Sequence, residues 1–304
     1  MPEGPEVTML SQYLSTKLKN RVFDKITVLA GKYSRKEIKN ADKVNNKNYI
    51  IKNVDSKGKL MWIELDNNCY FVSHLGLAGQ WSFTKSKNDK IRIGIKNKDN
   101  DKTYNLCYQD PRNFGNMEVF VSKQELESKT KLLAPDALKS NFTNNEFANI
   151  IKKYLGVSKT RKSQMIFKVL MDQTLSSGLV SGLGNYLTPE ILYDCKISPY
   201  REIGSLTDDD ITNLANSIKH VIKLSYYNNT TGYMSNFGDF IKVHKKRIDE
   251  GKYPNYNPDI ILKATDKFIF KVYQKKVDPL GNPVNPDRTL NPKRTTYWVP
   301  SMQK

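Results

Sequence analysis

The first three residues place an amine and a carboxylate where covalent chemistry is possible. The chain begins Met1-Pro2-Glu3, and proline as second residue normally permits removal of the initiator methionine. Pro2 then carries a secondary amine, and an α-amine with a pKa of about 7.7–8.0 is partly neutral at physiological pH. Such an amine can attack an aldehyde-like sugar carbon to give an iminium ion, while Glu3 moves a proton. The alternative is an ordinary helix start.

Five further segments contain glycines, single cations or apolar residues within turns or at the ends of predicted strands. They are Gly58–Leu60, Ser73–Gly79, Asp110–Gly115, Gly182–Leu187 and Arg294–Val299. Glycines such as Gly184 let backbone N–H groups approach a phosphate, and Asn185 adds an amide where a helix begins. Arg294 suits phosphate because its guanidinium can bind two oxygens at once. Taken singly, each has an ordinary alternative, such as a solvated strand end for Lys59 or a plain turn for Gly184.

Charge and composition narrow the class of ligand. The 304 residues carry a formal net charge of +18, with a pI near 9.5. This excess indicates a polyanionic partner, either nucleic acid or an anionic membrane surface. The sequence lacks the run of about 18 apolar residues that a membrane span needs, and the acidic, proline-rich start does not resemble a signal peptide.

Cysteine and histidine usage argues against a metal or a disulfide scaffold. Three cysteines and three histidines are scattered through the chain without a metal-ligand spacing. A four-thiolate zinc site needs one more cysteine than the chain has. We therefore expect no cofactor and no metal.

Hydrophobic patterning divides the chain into a β-rich first half and a helical second half. A helix is predicted over residues 5–19, and short β-rich runs follow, typical of an antiparallel sandwich. Examples of these runs are 22–29, 60–65, 69–73, 91–95, 104–108 and 117–121. A linker is predicted around 123–142, and helices at 143–155, 163–175, from about 186 and 207–222. The tail is predicted to form a hairpin from strands at 268–273 and 295–299.

Taken together and in order, these motifs resemble the Fpg/Nei DNA glycosylases, the formamidopyrimidine-DNA glycosylase and endonuclease VIII group. Met1–Val7, Gly58–Leu60, Leu170–Gln173 with Gly182–Leu187, and Arg294–Val299 carry the resemblance. It implies an α+β fold: an N-terminal helix plus antiparallel β-sandwich, a helix–two-turns–helix domain and a C-terminal zinc-less β-hairpin finger. The expected domains are residues 1–130, 131–245 and 246–304.

The resemblance also implies roles for individual residues. The implied catalytic residues are Pro2, Glu3, Lys59 and Arg294, and the implied DNA-binding residues are Leu77, Arg112, Phe114, Gly184 and Asn185. Leu77 and Phe114 would fill the gap left by an extruded nucleotide while Arg112 bonds the orphaned base. Without the resemblance, Phe114 is expected in the core and Arg112 at the surface as an ordinary charge.

The chain departs from the family pattern in three places. Leu77 stands where methionine is common, and residues 174–181 are a few residues longer than usual. The usual finger binds zinc through four cysteines, whereas Val299 and Met302 stand about where the last two belong. We expect aromatic packing to replace the metal, from Tyr273, Tyr297 and Trp298.

The implied activity is that of a bifunctional DNA glycosylase/AP lyase of base-excision repair, acting through a Schiff base on Pro2 followed by β,δ-elimination. Gly4 and the zinc-less finger favour oxidised pyrimidines and hydantoin or ring-opened purines; the alternative is formamidopyrimidine and 8-oxoguanine excision. A base-reading loop is expected near residues 226–240. An alternative of another class is a non-catalytic damaged-DNA-binding protein. The expected partner is double-stranded DNA containing an oxidised base or abasic site. We expect a monomer without membrane attachment. The expected location is an intracellular compartment that holds DNA, either cytoplasm or nucleus.

Overall fold

A computed structural model describes residues 2–97, 102–228, 233 and 238–304, with side chains omitted at 238 and 239. The chain separates into two compact units. The first comprises Pro2 with residues 6–131, and the second residues 3–5 with 132–304. No described helix is long and apolar enough to cross a membrane.

The first unit packs a helix against strands. Helix α1 spans Gly4–Leu18, close to the predicted 5–19, and its apolar stripe is fully buried, from Val7 to Leu18. The strands are β1 Val22–Val28, β2 Tyr49–Lys57, β3 Leu60–Leu65, β4 Tyr70–His74, β5 Gln80–Ser82, β6 Asp89–Lys96, β7 Thr103–Gln109 and β8 Asn116–Phe120. Short 3-10 turns lie at Gly31–Ser34 and Ala41–Lys43, and helix α2 spans Lys123–Lys131.

The eight strands form one antiparallel sheet in the order β5-β7-β6-β1-β2-β3-β4-β8. The sheet folds back on itself, because Trp81 of β5 lies 5.8 Å, ring to ring, from Phe71 of β4 near the other end of the order. The indole nitrogen of Trp81 also donates to the Ser73 hydroxyl at 3.3 Å. The two layers of the predicted sandwich therefore enclose an aromatic core.

The second unit is mainly helical. Its helices are α3 Asn144–Gly156, α4 Ile166–Met171, α5 Leu187–Asp194, α6 Asp208–Tyr227 and α7 Gly238–Asp249, with 3-10 turns at Lys159–Arg161 and Ile203–Ser205. The predicted capping residues begin two of these helices. The Thr143 hydroxyl accepts the Glu146 N–H at 3.1 Å, and Thr207 and Asp210 form a reciprocal capping box.

A two-stranded hairpin closes the chain, formed by β9 Asn285–Asp287 and β10 Thr296–Trp298. Such a hairpin is marginal alone, and this one leans on the helical unit, where Trp298 packs 5.5 Å from the ring of Tyr200. A buried apolar cluster supports it, formed by Val272, Val284 and Val299 with Tyr193, Tyr297 and Met302 around them. The fold is α+β, as the sequence predicts.

The prediction of a strand at residues 268–273 is wrong. The backbone N–H groups of Lys271, Val272 and Tyr273 donate to the carboxylate of Glu190 at 2.8, 3.0 and 2.8 Å. Glu190 is 3% exposed, and a buried carboxylate must be satisfied by donors. The segment wraps this carboxylate, so its N–H groups are not available for a sheet ladder. The partner of the return strand is β9 instead.

Three other predictions need correction. The linker predicted at 123–142 begins with helix α2, and the helix predicted at 163–175 is limited to Ile166–Met171. Strands β2 and β5 both lie outside the β-rich runs named from the sequence, and in β2 polar residues interrupt the apolar positions.

Candidate active site

Glu3 is anchored at the N-terminus of α5. Its side chain is fully buried, and its two carboxylate oxygens accept the backbone N–H groups of Tyr186 at 2.8 Å and Leu187 at 3.2 Å. The first N–H groups of a helix have no partner within the helix, and the helix dipole favours an anion there. Glu3 is therefore held by a helix terminus far along the sequence.

Gly4 lies against the glycine turn at residues 182–185. Its N–H donates to the Gly182 carbonyl at 2.8 Å. A Cβ on Gly4 would lie 2.9 Å from the Gly182 Cα, a distance that real Cβ atoms do not tolerate against backbone. Gly182 itself has φ of +102°, which favours glycine. Any side chain at position 4 would therefore push the two backbone segments apart.

Gly184 and Asn185 complete the same turn. Gly184 is buried and its carbonyl accepts the Thr188 N–H at 3.0 Å, in the first turn of α5. Asn185 is half-buried, and its Nδ2 donates to the Thr295 carbonyl at 3.1 Å. Asn185 thus joins the start of α5 to the residue after Arg294.

Tyr273 is influenced by three of the predicted residues of the second unit. Burial raises the pKa of its hydroxyl, Glu3 acts in the same direction, and the hydrogen bond with Asn185 and the charge of Arg294 oppose them. Its ring packs 6.2 Å from Tyr186. Glu3, Asn185 and Arg294 therefore all influence one phenol, whereas the sequence predicts only packing for Tyr273.

In the first unit, Pro2 is buried and Lys59 is half-buried. Lys59 occupies the two-residue turn between β2 and β3, whereas Lys57 is held at the Thr130 carbonyl at 2.8 Å. Lys59 lies close to His74, whose pKa is lowered by partial desolvation and then by the positive charges of Lys59, Lys129 and Lys32.

Three lysines thus contribute positive charge near His74. His74 stands in the predicted loop segment but was not singled out. What connects His74 with Lys59 is the strand register, which pairs His74 with Leu60, the residue after Lys59. This pairing is not visible in the sequence.

The two predicted duplex-probing loops touch each other. Gly76 has φ of +68°, and a Cβ there would lie 2.7 Å from the Phe114 carbonyl carbon. Phe114 is 55% exposed, so the alternative that places it in the core is wrong. Arg112 is exposed, with its guanidinium 5.2 Å from the Phe114 ring centre. Leu77 is half-buried in the first loop.

A polar scaffold holds the second loop. The Asp110 carboxylate accepts the N–H groups of Arg112 at 3.0 Å and Gly115 at 2.8 Å, and Tyr108 donates to Asp110 at 3.2 Å. An exposed apolar ring on a braced loop can insert into a base stack, because the loop loses little freedom on doing so. Most of the expected base-reading loop, residues 229–232 and 234–237, lies outside the described residues.

The residues of the finger do not fit zinc. The sequence from residue 258 to the end contains no cysteine or histidine, and zinc sites in proteins need such donors. Among the described residues, no group of three or more histidine, cysteine or acidic side chains could hold a metal. Val299 and Met302, which stand where cysteines are usual, belong to the apolar cluster with Val272 and Val284.

Family models match the chain in three consecutive parts. The formamidopyrimidine-DNA glycosylase N-terminal domain matches residues 1–117, the H2TH domain residues 133–235 and the C-terminal domain residues 258–304. Among protein relatives, the formamidopyrimidine-DNA glycosylase of Prochlorococcus marinus strain MIT 9312 is 26% identical and aligns over all of both chains. That of Mycoplasma genitalium is 29% identical over 81% of this chain and 86% of its own.

Solved structures share the fold. A MutM bound to DNA containing carbocyclic 8-oxo-G has a TM-score of 0.72 at 20% identity, with both chains fully covered. Lactococcus lactis Fpg, bound non-covalently to DNA with an AP site, has a TM-score of 0.69 at 19% identity over 99% of both chains. With its three domain models matched in order, the chain belongs to the formamidopyrimidine-DNA glycosylase (Fpg) family, a family of DNA glycosylases of base-excision repair.

Proposed function

We propose that the protein is a bifunctional DNA glycosylase/AP lyase that uses the nitrogen of Pro2 as its nucleophile. The observation that carries this proposal is the anchoring of Glu3 and Gly4 on the second unit, next to Asn185 and Tyr273. An ordinary helix start has no need of a buried carboxylate on a distant helix terminus. A nucleophile at the chain start needs such an anchor, because chain termini are otherwise mobile.

The proposed reaction passes through a covalent intermediate on Pro2. The Pro2 nitrogen forms a bond to C1′ of the flipped nucleotide, the bond from C1′ to the base breaks, and the base leaves with a proton. The sugar ring opens as its ring oxygen is protonated, with Glu3 as the proton-transfer group, and an iminium ion results. Loss of a proton from C2′ then expels the 3′ phosphate, and loss of a proton from C4′ expels the 5′ phosphate. Water finally hydrolyses the iminium, which breaks the bond to the sugar and regenerates the Pro2 amine.

Other residues bind the DNA rather than react. Lys59 of the first unit, and Asn185 and Arg294 of the second, are each proposed to contact phosphates near the lesion. His74 lies close to Lys59, and Tyr273 is influenced by Asn185 and Arg294. Leu77, Arg112 and Phe114 are proposed to fill the space left in the duplex. The net charge of +18 supports tight binding that weakens steeply with salt. A compartment that holds double-stranded DNA follows from this substrate, and one copy of the chain suffices for one lesion.

The proposed lesions are oxidised pyrimidines and hydantoin or ring-opened purines. The support for this choice is the resemblance of Gly4, and of a finger without cysteine ligands, to the endonuclease VIII side of the group. Formamidopyrimidine and 8-oxoguanine are the second candidate, because the relatives are formamidopyrimidine-DNA glycosylases.

A nicking panel tests the activity and the lesion class together. Duplexes carrying thymine glycol, dihydrouracil, a hydantoin, 8-oxoguanine or an abasic site are incubated with the protein under single-turnover conditions. We expect nicking of the abasic duplex and faster cleavage at the pyrimidine and hydantoin lesions than at 8-oxoguanine. The reverse order would favour the second candidate. Binding to the abasic duplex without nicking would support the non-catalytic alternative.

A further inference from the structure

Gln173 braces the glycine turn against which the chain start rests. Its Oε1 accepts the Gly182 N–H at 2.7 Å, and its Nε2 donates to the carbonyls of Leu183 at 2.9 Å and Met171 at 3.1 Å. One side chain thus satisfies three backbone groups that helix α4 and the turn leave without partners of their own. It stands at the start of the segment that is longer than usual in this chain.

The chemistry at this position suits glutamine specifically. The site presents one N–H and two carbonyls, and a neutral amide of this length offers one acceptor and two donor hydrogens. A glutamate would set a negatively charged oxygen against two carbonyl oxygens, and a leucine would leave all three backbone groups without this partner. The hydrogen-bond pattern therefore fixes the orientation of the amide.

Gly182 connects this brace to the reacting end of the chain. Its N–H is held by Gln173, and its carbonyl holds the Gly4 N–H at 2.8 Å. Pro2 is two residues before Gly4 and is joined to Glu3 by one peptide bond. A shift of the Gly182 peptide therefore changes where the chain start, and the Pro2 nitrogen with it, can lie.

We propose that Gln173 is a positioning residue for the reaction: by fixing the Gly182 peptide it fixes Gly4, and so sets the approach of the Pro2 nitrogen to the sugar. This inference rests on the proposed function. Gln173 contacts the turn and α4, and Asn185 is held separately by the Thr295 carbonyl. Loss of the brace is therefore expected to slow bond formation more than it weakens DNA binding.

The test compares Gln173→Glu and Gln173→Leu with the wild type. Two quantities are measured on abasic duplex DNA: the single-turnover rate of borohydride trapping at saturating DNA, and the DNA concentration that gives half of that rate. A misplacement of about 1 Å costs up to about a hundredfold in rate, and we expect both variants to trap at least about tenfold more slowly. The half-saturating concentration should change less than about threefold.

A matched control lies in the same loop. Ser177→Ala removes a 2.7 Å hydrogen bond to Asp172 without touching the glycine turn, and should trap at the wild-type rate. Thermal midpoints are measured for every variant, and rates are compared at a temperature where all are folded. A Gly4→Ala, Gln173→Leu double variant should lose less than the product of the two single losses, because both act at Gly182.

The outcomes separate the two proposals. Trapping of the wild type at Pro2 with equal rates in both Gln173 variants overturns the positioning role and leaves the proposed function standing. Slower trapping that is matched by an equal rise in the half-saturating concentration also overturns it, since the brace would then serve binding. A wild type that forms no adduct overturns the proposed function and the positioning role with it.

Discussion

The carboxylate of Glu3 accepts the N–H of Tyr186 at 2.8 Å, across 183 residues of sequence. This contact ties residues 3–5 to the helical unit, although α1, which begins at Gly4, packs largely within the first unit. The same helix terminus carries Asn185, and Tyr186 packs on Tyr273. The start of the chain and the candidate phosphate-binding residues of the second unit therefore share one structural support.

Arg294→Ala is expected to weaken binding to a duplex with a non-cleavable abasic analogue by about tenfold at moderate salt. A lost phosphate contact should also reduce the slope of log affinity against log salt by about 1. Binding is measured by fluorescence anisotropy across a salt series. Lys293→Ala is the matched control, since this lysine is the exposed neighbour. Equal effects of the two substitutions would show that only general charge matters at this place.

Phe114→Ala is expected to slow excision of a damaged base more than cleavage at an abasic site. An inserted ring replaces stacking that is worth about 1–3 kcal/mol per base, and an abasic site has no base to extrude. The two single-turnover rates are measured on matched duplexes, and their ratio should fall about tenfold. Tyr104→Ala, which removes an exposed ring on β7, should leave the ratio unchanged. A proportional loss on both substrates would contradict the wedge role.

Glu190→Gln is expected to destabilise the protein by about 2 kcal/mol, because hydrogen bonds to a charged group are worth about 1.5–3 kcal/mol. One carboxylate oxygen accepts from both Val272 and Tyr273, and the other from Lys271. An amide can serve only one of these sides as acceptor. Urea unfolding measures the change, with Glu127→Gln on exposed α2 as control. If the Glu190 variant unfolds with the free energy of the wild type, the three hydrogen bonds to Glu190 do not contribute to stability.

Stability should depend on pH through His220 and Asp194. The hydrogen bond with Asp194 raises the pKa of His220 against the effect of burial, and the charges of Asp194 and Asp266 add to it. Burial alone would raise the pKa of Asp194, but His220, Lys271 and Ser217 outweigh it and lower the pKa to about 2.

The signs of the two contributions differ. A raised histidine pKa stabilises the fold below the unfolded value of about 6.5 and loses this effect as the pH rises through the folded value. A lowered aspartate pKa stabilises above about 3.9 and loses its effect as the pH falls toward the folded value. The free energy of unfolding, measured with urea from pH 5 to pH 8, should decline as the pH rises. His220→Gln should make this decline smaller. An unchanged decline in that variant would rule His220 out as its source.

Local patterns in the sequence predict much of this architecture. The stripe from Val7 to Leu18 and the capping residue Thr207 predict helices that form, because their causes lie within a few residues. The prediction of a strand at residues 268–273 is wrong because its cause is not local. Its apolar alternation is typical of a strand, but a distant carboxylate on Glu190 takes its N–H groups.

The candidate site also contains residues that local motifs predict and residues that they do not. Motifs identify Asn185 and Arg294, but the Tyr273 hydroxyl that lies with them becomes visible only when the chain is folded. Likewise, no local signal predicts that Gln173 braces Gly182, since glutamine has no preferred partner in a sequence. Phe114 is exposed, and Gly76 packs closely against its backbone; neither feature is encoded in the composition.

The central claim is that the nitrogen of residue 2 bonds to the sugar. The protein is incubated with abasic duplex DNA in the presence of borohydride, digested with protease, and the adduct is located by mass spectrometry. The account predicts a deoxyribose-derived mass on a peptide that begins with Pro2, with the initiator methionine removed. An adduct on a lysine, or active protein that retains Met1, would contradict it.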